Sequence, residues 1–104
     1  MKESDWKIFK KIKEKALESF CLQAFDRYSA VINNEKEDAH DRYITHYNLV
    51  REKDKELGRL FDGHSRSRAS MQLLLIRKNG LADEELLQQL SNEFFQETDP
   101  EKLI

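Results

Sequence analysis

Along this chain apolar residues recur every three or four positions, and no stretch alternates them cleanly with polar ones. That spacing lines side chains along one face of an α-helix, whereas a half-buried strand needs a period of two. Three Gly and one Pro punctuate the 104 residues, too few for the many tight turns of a sandwich or barrel. Charged residues make up 37% of the chain but aromatics reach 10%, and disordered segments of such charge lack aromatics. The pattern predicts one all-α domain over 1–104, a small bundle of two long and two short helices.

The first long helix is expected from about Asp5 to Ile32, capped by Ser4 or Asp5. Its apolar stripe reads Phe9, Ile12, Ala16, Phe20, Ala24, Tyr28 and Val31, and from Ala16 a second lane of Leu17, Cys21, Phe25 and Ile32 joins it. So wide an apolar arc implies more than one neighbour. Leu22 lies outside both lanes and would be wet in a monomer. The second helix is expected over Ala39–Phe61 with Asp38 as its cap and a stripe of Ala39, Tyr43, Tyr47, Val50, Leu57 and Phe61. The link from Asn33 to Asp38 is short, which makes the two long helices an antiparallel pair. The third helix, about Arg68 to Asn79, is apolar on most sides through Met71 and Leu73–Ile76 and should be the most buried element. Gly80 stops it, with Leu81 placed to seal the ending. Asp83 caps a fourth helix running through Leu86, Leu90 and Phe94, which Pro100 cannot continue. The tail from about 98 is expected to be loose.

Composition narrows the function classes. The net charge of −2 conceals signed blocks: +3 over 1–15, −3 over 16–58, +4 over 59–78 and −6 over 79–104. Such blocks can pair within a fold or with a partner, but a nucleic-acid binder is normally basic overall, so nucleic acid is not the expected partner. One cysteine, Cys21, rules out an internal disulfide. Together with the lack of a signal-peptide core in the first residues, it leads to an expected cytoplasmic location. Trp6, Ile8, Phe9 and Ile12 among the lysines of 7–15 could lie on a membrane, yet they run straight into the core stripe, and no membrane role is expected.

The most distinctive stretch is the loop and helix start at 62–68. His64, Ser65, Arg66, Ser67 and Arg68 follow Gly63 there. N–H groups at a helix start attract anions, and guanidinium groups match phosphate or carboxylate oxygens with forked donors. Arginine at a helix N-terminus runs against the dipole, which singles the stretch out as a candidate binding site. Two readings stand side by side. Either Ser65 or Ser67 caps the third helix and the arginines pair with acids of the same fold, or the arginines await an anionic ligand. Asp62, His64 and the serines are too close in sequence to converge as a catalytic triad.

Asp54 interrupts the apolar stripe of the second helix, four residues after Val50 and three before Leu57. A carboxylate there must be paired or wet. It either reaches an arginine of the 64–68 loop or surfaces beside Arg51 and Lys55. His46 is expected to be a packed, hydrogen-bonded histidine and Cys21 a small core residue. His40 and His46 are six apart and fall on different sides of a helix, and Glu37-x-x-His40 has no second copy, so no metal is expected. No Walker loop or dinucleotide fingerprint occurs, so no cofactor is expected. The function these readings imply is that of a non-enzymatic helical interaction or regulatory protein. Its partner would be another protein, or a second copy in a weak homodimer through Leu22. The alternative is an anion- or phosphate-binding module built on 62–68.

Overall fold

The computed structural model describes residues 1–103. It is all helical: α1 Glu3–Ile32, α2 Ala39–Phe61, α3 Arg66–Lys78, α4 Glu84–Leu87, α5 Asn92–Glu97 and a closing 3-10 turn, Pro100–Leu103. No strand occurs among the described residues. The all-α bundle expected from the periodicity is what forms, with five helices in place of four.

Helix α1 is the axle, packing against α2, α3 and α4. The core gathers at its N-terminal half: Phe9, Ile12, Ala16 and Phe20 meet Leu60 and Phe61 of α2, Ala69, Leu73 and Ile76 of α3, and Leu81, Leu87, Leu90 and Phe94 beyond. Leu73 and Ile76 are fully buried, as the apolar character of α3 requires. Phe20 meets Phe61 edge-on at 5.9 Å between ring centroids, where α1 and α2 leave the core together. Beyond this point the rest of α1 and the start of α2 pack on each other as an arm. The molecule measures 53 × 26 × 23 Å with a radius of gyration of 16.6 Å, against about 13 Å for a compact chain of this length.

Helix ends follow local chemistry in most places. Asp38 accepts from the Asp41 N–H and Asp83 from the Leu86 N–H, each at 2.9 Å. After α3, the Leu81 N–H donates to the Ile76 carbonyl and the Gly80 N–H to Arg77, with Gly80 at φ +69° and Leu81 in the core. This is a Schellman ending sealed by its apolar residue.

Three expectations are corrected. Neither Ser4 nor Asp5 caps α1: Lys2 stands at the N-cap without a side-chain bond. Asp5 lies inside the helix, 2% exposed. The fourth helix is broken: its last bonds tighten to i→i−3, Gln89 N–H to the Leu86 carbonyl and Leu90 N–H to Leu87, and the Ser91 N–H then turns to Asp5 Oδ1, at 2.8 Å. Ser91 caps α5 by accepting from the Phe94 N–H. Third, the tail is packed where a loose segment was expected to begin. Thr98 is fully buried, donates to the Phe94 carbonyl at 2.8 Å and accepts from Arg77 at 2.9 Å, and the 3-10 turn packs on α3. Ile104, the end of that tail, lies outside the described residues.

Candidate functional site

Two surfaces compete for the functional role, one at the 62–68 loop and one on the arm. The loop is built on carbonyl oxygens that face inward. Lys13 Nζ of α1 donates to the Gly63 carbonyl at 2.6 Å, and Gln72 Nε2 of α3 donates to the carbonyls of Asp62 and Gly63 at 2.7 and 3.2 Å. Burial holds the Lys13 ammonium below its usual pKa, and Asp62 partly offsets this. Gly63 sits at φ +80°, and a Cβ there would come within 2.6 Å of an Arg68 guanidinium nitrogen. The backbone therefore favours glycine here, and a side chain would also displace the arginine lying across it.

Around this frame the predicted residues part ways. Arg66 reaches back to Glu3 at 2.6 Å and lies 5.3 Å from the Trp6 ring centroid, so its conflict with the α3 dipole is relieved by an acid at the start of α1. His64 stacks obliquely on the other flank of the same indole, 5.0 Å away, with Nδ1 3.5 Å from Lys13 Nζ. Arg68 is exposed, and no ion pair reaches it among the described residues. The reading that pairs the arginines with acids of the same fold thus holds for Arg66 and not, among the described residues, for Arg68. The expected serine cap does not form. Ser65 occupies the N-cap without a side-chain bond to the helix, and its hydroxyl meets that of Ser67 at 3.2 Å. No catalytic convergence appears either, since Lys13 rather than a carboxylate or hydroxyl is the polar neighbour of the His64 ring. Trp6, which periodicity assigns to the core stripe, is the half-buried platform on which His64 and Arg66 rest. Only its place at the stripe's beginning hints at that.

Asp54 does not join the loop. It surfaces on α2 with no hydrogen bond or ion pair among the described residues, which corrects the reading that pairs it with Arg66 or Arg68. Instead it borders an apolar groove of about 110 Å³ between the two arm helices, lined by Cys21, Phe25 and Tyr28 of α1 and Val50 and Leu57 of α2. Burial there raises the Tyr28 hydroxyl above its ordinary pKa, and the negative charges of Cys21, Asp54 and Glu56 add to the effect. Cys21 is half-buried at this groove and packs against the edge of the core.

The groove marks a turn of α2 that periodicity does not foretell. The first part of the predicted stripe faces outward, with Tyr43 70% exposed, Tyr47 54% and Val50 39%, while its last members, Leu57 and Phe61, turn to the core as expected. The face turned toward α1 carries Arg42, His46, Leu49, Lys53 and Glu56, buried or half-buried. Leu49 is the apolar anchor of this seam. His46 meets the edge of Tyr28 at 5.3 Å, but its Nδ1 is buried without a partner, unlike the hydrogen-bonded histidine expected. On α1, Phe25 is 60% exposed and Ile32 48%, seven residues apart and therefore on one side of the helix. Phe25 and Val50 line the same groove, so the outward stripes of both helices share one face of the arm.

Among the described residues no group of three or more His, Cys, Asp and Glu is placed to hold a metal ion. No helix is long and apolar enough to cross a membrane. Comparison with family models, curated proteins and solved structures yields no significant match to this chain.

Proposed function

We propose that this is a non-enzymatic helical interaction protein that binds another protein through the outward face of its arm. The carrying observation is the inverted amphipathicity of α2, which turns Tyr43, Tyr47 and Val50 to solvent and Arg42, His46 and Lys53 toward α1. An apolar stripe that continues on the adjacent helix through Phe25 and Ile32 gains free energy only when something covers it. Aromatic residues with a polar tip, such as Tyr43 and Tyr47, suit a surface that is wet when free and dry when bound. A reducing compartment, the cytoplasm, fits the single unpaired thiol of Cys21. The test places a photo-crosslinking amino acid at Tyr47 in cells making the protein. Adducts that vanish when Phe25→Glu is added support the reading; the absence of any face-dependent adduct overturns it.

A second reading has its own observation. Among the described residues Arg68 has no ion pair; its guanidinium lies over Gly63, beside the loop where Lys13 meets His64, an arrangement suited to a phosphate or carboxylate. Isothermal titration with inorganic phosphate at low salt tests it. Binding that weakens with salt and is lost in Arg68→Ala supports an anion site, and no heat at millimolar phosphate removes it.

A further inference from the structure

We infer that the occupant of the arm face is a second copy of this chain, the two arms lying face to face as an intermolecular four-helix bundle. The inference rests on the reading of the arm as an interaction surface and names its partner. Two observations select self-pairing.

The first is area. A compact monomer of 12.4 kDa exposes about 6,100 Å² by the scaling of folded monomers. This chain exposes 7,316 Å². The surplus of roughly 1,200 Å² comfortably supplies one partner's share of a standard interface, about 800 Å². An elongated shape, 53 Å long against 26 and 23 Å across, accompanies that surplus, and a two-helix hairpin supplies the covering helices that another two-helix hairpin lacks. Four helices around one apolar seam bury an apolar side on each.

The second is charge. Within one turn beside the stripe, α2 carries Arg51, Asp54 and Lys55. Asp54 has no ion pair in its own chain among the described residues, and Arg51 lies 5.7 Å from the Tyr47 ring centroid. A partner of strongly acidic or basic character would be matched by a rim of one sign. Here both signs stand within one turn, a rim that can complement itself when a two-fold axis makes each contact reciprocal, the Asp54 of one copy meeting a base of the other. Leu22, the anchor that periodicity suggests, is 54% exposed one turn before Phe25 and borders this face.

Sedimentation equilibrium of the purified full chain, from low micromolar to several hundred micromolar, tests the inference. The expected result is a mass rising from 12.4 kDa toward twice that value. Tyr47→Glu and Phe25→Glu should each raise the dissociation constant by at least about tenfold, as loss of a central aromatic anchor does. Met71→Glu, an exposed site on α3 outside the arm, should leave it unchanged. Circular dichroism of each variant checks that the helices persist. The unsubstituted protein provides an independent readout: the Cys21 thiol, which borders the groove, should be alkylated several-fold more slowly at the high concentration. A monomer at every concentration overturns self-pairing, as does a dimer indifferent to Tyr47 and Phe25. If a monomeric protein still yields a Phe25-dependent crosslink from Tyr47 to a different chain, self-pairing fails while the interaction reading stands.

Discussion

Asp5 in the first turn of α1 accepts both the backbone N–H and the hydroxyl of Ser91, at 2.8 and 2.6 Å. One carboxylate thereby holds the junction between α4 and α5, where Ser91 caps α5, against the start of α1. Asp5→Ala should destabilise the fold by about 1–3 kcal/mol, because it leaves the half-buried Ser91 N–H unpaired. Ser91→Ala should cost less, since the backbone N–H keeps its acceptor. Urea unfolding of the two single variants and the double variant gives the coupling energy, and strict additivity would contradict the clamp.

Leu73 is fully buried at the centre of the core. Leu73→Ala should lower the unfolding free energy by about 2–5 kcal/mol. A loss under about 0.5 kcal/mol would mean that α3 packs by another face.

Asp83 lies below the ordinary aspartate pKa, held there first by the Leu86 N–H and then by Lys15. A carboxyl whose folded pKa is depressed stabilises the fold at pH above its unfolded value and loses that contribution as pH falls through the folded one. Asp83→Asn should therefore lower the melting temperature near neutral pH, and the gap to the parent should close on acidification below about pH 4. Parallel melting curves at every pH would remove Asp83 from the acid response.

Arg66 and Arg68 should separate cleanly. Arg66→Ala breaks an exposed pair with Glu3 and should cost no more than about 1 kcal/mol. Arg68→Ala should leave stability within about 0.5 kcal/mol, yet abolish any rise in melting temperature produced by millimolar phosphate. A phosphate response that survives in Arg68→Ala would exclude this arginine from an anion site.

What could be read along the chain was local. The extent of α2, its Asp38 cap, the Gly80–Leu81 ending and the Asp83 cap each depend on side chains within a few residues of the backbone groups they satisfy. The clamp of Asp5 on Ser91 joins groups 86 residues apart, and no spacing announces it. Of the candidate site, the charge of 62–68 was legible, but the division of labour between Arg66 and Arg68 was not, because Glu3 and Trp6 arrive from another helix. The stripe of Tyr43, Tyr47 and Val50 was legible as a stripe. Periodicity states that a face is apolar and is silent on what covers it, so the inward turn of Leu49 and His46 could not be foreseen.

The account turns on which side of α2 meets water. Urea unfolding of Tyr47→Glu and Leu49→Glu, at a concentration where the chain is monomeric, decides this directly. Leu49 is 8% exposed and Tyr47 54%. The account predicts that Tyr47→Glu changes stability by less than about 0.5 kcal/mol, as exposed sites do, while Leu49→Glu costs more than about 2 kcal/mol for a charge forced against α1. The reverse ranking would place the tyrosine stripe against α1 and leave the arm without an interaction face.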